Sequence, residues 1–97
     1  MDATEEDYPF WEAVKNVRGL ICEPNNDTKL ELYGLYKQRL FGDNSRRKNL
    51  WRTPKDQKKF EAWESKRGLQ PKVASKLYIR LVKKLVLEDT KKNISAE

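Results

Sequence analysis

Lys37 stands in the wrong half of its helix, and it is the residue of this chain best placed to meet an anion. In the stretch LELYGLYKQRLFGD, residues 30 to 43, an advance of about 100° per residue puts Leu30, Leu32, Tyr33, Tyr36, Leu40 and Phe41 on one half of the circumference. Glu31, Gln38 and Arg39 take the other half. Lys37 falls among the apolar residues, where an ammonium costs several kcal/mol unless it snorkels to water or finds a negative partner. Removing its charge is therefore expected to leave the fold intact or slightly more stable. The chemistry on offer is non-covalent: the chain has no histidine and one cysteine, Cys22, which excludes an internal disulfide, the usual zinc spacings and any imidazole-based triad or dyad.

The chain is 97 residues long, which predicts one domain over 1–97 with a core of about residues 8–90 and room for a single site. Charged and hydrophobic residues each make up 37% and ten residues are aromatic, so a globular core is within reach despite low mean hydropathy. The formal charge of +6 favours an anionic partner: nucleic acid, a phospholipid surface or a phosphorylated small molecule. The opening MDATEEDYPF is acidic and lacks the apolar core of a signal peptide, and no stretch approaches the ~18 apolar residues of a membrane span. A reduced, cytoplasmic setting is expected, with Cys22 a small buried hydrophobe.

The elements that must position Lys37 are helical throughout, since no run alternates as a half-buried strand would. A first helix from Phe10 gathers Ala13, Val14, Val17, Leu20 and Ile21 on one face, with Trp11 at its edge, and Gly19 weakens its end. Pro24-Asn25-Asn26 makes a turn in which Asn25 or Asn26 caps the second helix, and Asp27 suits its dipole. That helix ends near Gly42-Asp43. Residues 43–53, DNSRRKNLWRT, have no period and read as a long connection anchored by Leu50 and Trp51. Thr53, Pro54 and Asp56 make the capped start of a third helix, whose buried face holds Phe60 and Trp63 and which Gly68 closes. Pro71 opens a fourth, with Ala74, Leu77, Tyr78, Ile79, Leu81, Val82, Leu85 and Val86 on its apolar arc, and fraying is expected after Glu88. The long connection lets the second and third helices run parallel.

Read together, Phe10...Ala13, Pro24, Leu32-Tyr33-Gly34-Leu35-Tyr36-Lys37-Gln38, Gly42-Asp43, Lys59-Phe60-Glu61-Ala62-Trp63, Gly68, Ala74 and Tyr78-Ile79 make the chain resemble the acyl-CoA-binding protein family over roughly residues 10 to 88. The resemblance implies an all-α fold, a four-helix up-down-down-up bundle with a long loop between helices two and three. It implies a monomer that binds a medium- or long-chain fatty acyl-CoA without catalysis and without a cofactor or metal. It assigns Tyr33, Lys37 and Lys59 to the 3′-phosphate of the adenosine, Tyr36 and Tyr78 to adenine and ribose, and Arg18 to the neighbourhood of the phosphates. Phe10, Val14 and Leu32 are implied to shield the acyl chain, with Lys29 beside its path. Partners implied are acyl-CoA-using enzymes.

Departures from the family pattern carry their own expectations. Phe60 stands where a tryptophan is usual, and Lys29 where an apolar residue is usual, which bears on chain-length preference. The segment from Arg46 to Lys59 holds seven basic residues and one acid, Asp56, and either docks transiently on anionic membranes or is a solvated loop. The competing reading is a small basic helical module for nucleic acid. Such a module keeps its cations on one continuous surface, whereas here they are spread over the loop, the third helix and the outer arc of the fourth, so no nucleic acid is expected.

Overall fold

The computed structural model describes residues 7–45 and 53–95. They form four helices and no strand: α1 (Asp7–Arg18), α2 (Asn26–Phe41), α3 (Pro54–Glu64) and α4 (Pro71–Ser95). The predicted all-α class is the observed one. Leu50 and Trp51, the expected anchors, lie outside the described residues, as do Arg46, Arg47, Lys48 and Arg52 of the basic segment.

The chain divides into two compact units, Asn25–Ser75 and the pair of segments Met1–Pro24 and Lys76–Glu97. Within the first, both helix starts follow the sequence signals. Asn25 is the cap of α2, its side-chain oxygen accepting the Thr28 N–H at 2.8 Å. Thr53 caps α3 by accepting the Asp56 N–H at 3.0 Å, with Pro54 next in line. Gly42 ends α2 at φ +74°, its N–H donating to the Gln38 carbonyl, a conformation that favours glycine.

α2 and α3 run parallel, as the long connection allows. Asn26 and Leu30 line one cleft with Pro54 and Lys58, Tyr33 lies beside Lys59, and Phe41 meets Trp63 at 6.0 Å between ring centroids. Early residues thus meet early ones and late meet late. At mid-length Gly34 lets the Ala62 backbone approach so closely that a Cβ at position 34 would stand 2.5 Å from the Ala62 carbonyl oxygen.

The buried face of α2 is not the predicted one. Leu32, Gly34, Leu35 and Gln38 are buried, whereas Phe41 is 62% exposed and Tyr33, Tyr36, Lys37 and Leu40 are half-buried. Gln38 was expected on the polar side, yet it is 1% exposed. Its Nε2 donates to Leu69 O at 2.7 Å and Asp43 Oδ1 at 2.9 Å, and such partners make burial of an amide tolerable. Asp43 Oδ1 also accepts the Gly68 N–H at 2.8 Å, so one carboxylate joins the end of α2 to the turn after α3. That turn begins earlier than expected: α3 stops at Glu64, and Gly68, at φ +87°, closes the turn rather than the helix.

In the second unit Phe10 is fully buried, with its ring 5.1 Å from that of Tyr78. Eleven residues further along each segment, the Asp89 carboxylate accepts the N–H groups of Ile21 at 3.0 Å and Cys22 at 2.7 Å. The α1 segment and α4 therefore also run parallel. Three expectations change here. α1 ends at Arg18 in a tightened turn, Gly19 N–H to Asn16 O at 3.1 Å, so Leu20 and Ile21 leave the helix and Ile21 is 69% exposed. Cys22 is exposed, not buried. α4 continues past Glu88 to Ser95, with Asp89 tied to Ile21 and Cys22 and the Thr90 hydroxyl donating to Val86 O at 2.9 Å.

Candidate functional site

The half-exposed flank of α2 carries Lys29, Tyr33 and Lys37 at four-residue spacing, so they rise along one edge of the helix. The capped start of α3 presents Lys55 and Lys59 at the same spacing, with Lys58 beside them. Because α2 and α3 are parallel, these two edges face each other across a cleft of about 620 Å³. Its walls hold Lys29, Lys55, Lys58 and Lys59 together with Leu30, Tyr33 and Pro54, and among the described residues no carboxylate lines it. The acids lie next door: Asp27, Glu31 and Glu61 border a second cleft that shares Leu30 and Lys58 with the first.

Tyr33 is the centre of the arrangement. The Lys59 ammonium is 5.6 Å from its ring centroid and the Lys37 ammonium 5.7 Å. Lys37 also lies 4.9 Å from the Phe41 ring and 5.7 Å from that of Trp63. The ammonium that looked misplaced on the helical wheel therefore sits among three aromatic faces, which attract a cation. Trp63 is held in turn by its indole N–H, which donates to Gly42 O at 2.8 Å.

Around this site charges are paired. Lys66 Nζ donates to Glu31 at 2.7 Å, and Arg67 pairs with Glu64. Hydrogen bonds from the Gly68 N–H and Gln38, with Arg67 nearby, lower the Asp43 carboxyl below its ordinary value. The Arg67 hydrogen bond does the same for Glu64. Arg67 is raised by the same contact. Two ammoniums at one phenol ring, in an aromatic setting, can hold a doubly charged oxyanion. Among the described residues no group of three or more metal-ligating side chains converges, and no helix is long and apolar enough to cross a membrane.

Of the residues singled out in the sequence, Tyr33, Lys37 and Lys59 are brought together, and Lys29 lines the same cleft. Tyr36 is half-buried on α2, and Leu32 is buried. Phe10, Val14, Arg18 and Tyr78 belong to the other unit, where Phe10 and Tyr78 are buried, Val14 is half-buried and Arg18 is exposed. Sequence reasoning did not single out Leu30, Lys55 or Lys58 as cleft residues, nor Phe41 and Trp63 as the rings around Lys37. The four-residue spacing of Lys55 and Lys59 was visible, but it becomes a wall only once α3 lies parallel to α2.

Residues 7–82 match the family described as Acyl CoA binding protein. The chain is 44% identical to the acyl-CoA-binding protein of Saccharomyces cerevisiae over 77 residues, covering 79% of this chain and 88% of the yeast one. It is 39% identical to acyl-CoA-binding protein homolog 1 of Caenorhabditis elegans over 77 residues, 79% of this chain and 90% of that one. The crystal structure of Oryza sativa acyl-CoA-binding protein 2 matches with a TM-score of 0.82 at 31% identity, covering 89% of this chain and 96% of the rice chain.

Proposed function

The chain belongs to the acyl-CoA-binding protein family, and from that premise we propose that it binds medium- and long-chain fatty acyl-CoA esters one-to-one and without chemical change. It thereby serves as an intracellular carrier and buffer that shields the thioester and hands it to enzymes or membranes. The observation that supports this most directly is the pair of ammoniums, Lys37 and Lys59, within 5.7 Å of the Tyr33 ring. A phosphate monoester carries about two negative charges at neutral pH. Two lysines can neutralise it while the tyrosine hydroxyl donates to a remaining oxygen.

In this reading Tyr36 and Tyr78 hold the adenosine, Arg18 lies near the phosphates, and Phe10, Val14, Leu32 and Lys29 border the acyl chain. A chain of methylenes adds about 0.8 kcal/mol for each one buried, so affinity rises with length until the groove is full. The protein works as a cytoplasmic monomer, with acyl-CoA-using enzymes as recipients. Its basic 46–59 segment makes transient contact with anionic membranes, and nucleic acid is not a partner.

Isothermal titration with hexadecanoyl-CoA, free coenzyme A and hexadecanoic acid tests this. Tight one-to-one binding of the thioester with weak binding of either half is the expected result. A thioester that binds no better than hexadecanoic acid alone would overturn the reading.

A further inference from the structure

The outer side of α4 carries a band of charge that the Tyr33 cleft does not use. Within residues 76–91 the buried side of the helix is centred on Tyr78 and Val82, and Asp89 on that side accepts the Ile21 and Cys22 N–H groups. At about 100° per residue, Arg80 and Leu87 fall on the opposite side. Around them an arc of about 120° holds Lys76, Lys83, Lys84 and Lys91, with Leu77 at its edge. All of these side chains are exposed, Leu87 at 63% and Leu77 at 37%. The cations follow one another over about 22 Å of helix. Within residues 76–91 no acid falls inside the arc, and Glu88 stands at its border.

Cations alone suit any polyanion, and the two leucines narrow the choice. Nucleic acid meets protein chiefly through phosphate and sugar, which offer a leucine no apolar phase. A folded protein partner buries its apolar anchors in one central cluster, but Leu77 and Leu87 stand about 15 Å apart along the axis, with Arg80 and Lys84 between them. A bilayer surface receives each leucine separately at the acyl boundary, while the lysine and arginine stems extend to headgroup phosphates. We propose that the outer face of α4 over residues 76–91 is a docking surface for a negatively charged phospholipid membrane, with Arg80 and Lys84 as its central cations and Leu87 as its inserting side chain. This surface shares no residue with the Tyr33 cleft or with the basic 46–59 segment.

The test is cosedimentation with vesicles of phosphatidylcholine alone and of phosphatidylcholine mixed with phosphatidylserine. The wild type is expected to bind the mixed vesicles only, and added salt should weaken that binding. Each cation near an anionic surface is worth about fivefold in partitioning, so Arg80→Gln/Lys84→Gln should lower it about twenty-five-fold. Lys55→Gln/Lys58→Gln, which removes the same charge from α3, should lower it less. A polarity-sensitive fluorophore on Leu87→Cys, in a Cys22→Ser background, should shift to the blue on the mixed vesicles. Wild-type protein that ignores anionic vesicles, a loss in the α4 pair no greater than in the α3 pair, or a probe that stays in water overturns the proposal. So does a single-stranded oligonucleotide bound as tightly through the same α4 pair, which would make the arc a general polyanion site. Hexadecanoyl-CoA affinity is expected to be the same in the wild type and the α4 pair, so the carrier reading stands or falls separately.

Discussion

Gly34 on α2 lies directly against the backbone carbonyl of Ala62 on α3, so close that a Cβ at position 34 would come within 2.5 Å of its oxygen. An alanine in mid-helix is ordinarily better than glycine by about 1 kcal/mol. Here the sign reverses, because the obstacle is backbone and cannot rotate away. Gly34→Ala is expected to cost about 1 to 3 kcal/mol net, read as a lower urea midpoint. An unchanged or higher midpoint would mean that α2 and α3 separate at little cost.

Acid should act on this fold through Asp43 and Glu64. Both carboxyls are lowered, Asp43 chiefly by the Gly68 N–H and Glu64 chiefly by Arg67. A lowered folded-state value means stability that is fully present above the ordinary carboxylate range and lost as pH falls through the depressed values, below about pH 4. Arg67 stays charged throughout and adds no slope of its own. Thermal unfolding followed from pH 6 to pH 2 should show the loss in that window. Asp43→Asn should flatten part of it, and a parallel curve for the variant would show that Asp43 contributes nothing.

Lys37→Met separates the two interactions of that ammonium. The sequence-based expectation was an unchanged or slightly more stable fold, since the charge looked buried among apolar groups. With Tyr33, Phe41 and Trp63 around it, its loss should instead cost up to about 1 kcal/mol of stability. Hexadecanoyl-CoA binding should weaken by about 2 to 5 kcal/mol, typical of losing one partner of a buried charged contact. Calorimetry measures the second and denaturant titration the first; equal affinities for variant and wild type would remove Lys37 from the site.

Asp89 ties α4 to the chain leaving α1 by accepting two N–H groups. Replacing it with alanine leaves both donors to water and should cost about 1 to 2 kcal/mol. Amide exchange offers the local readout: the N–H groups of Ile21 and Cys22 should exchange faster in Asp89→Ala, and protection unaltered at both would discount the clamp.

The elements of this protein were legible in its sequence because their signals are local. Asn25, Thr53 and Pro54 act on N–H groups within one turn of themselves, and the unperiodic stretch before Thr53 already allowed α2 and α3 to run parallel. The resemblance in Tyr33, Lys37 and Lys59 likewise marked the residues that now stand together. What polarity could not reveal was which side of α2 faces inward. Gln38 is buried because Leu69 and Asp43 supply partners from far along the chain or past the helix end. Gly34 is buried because the Ala62 carbonyl needs the space a side chain would fill. Burial depends on the partners a group finds, and those partners exist only after the helices have packed. The same holds for the charge on the cleft: Lys29, Lys55 and Lys58 are ordinary surface lysines in the sequence, and only the parallel setting of two helices makes them one wall.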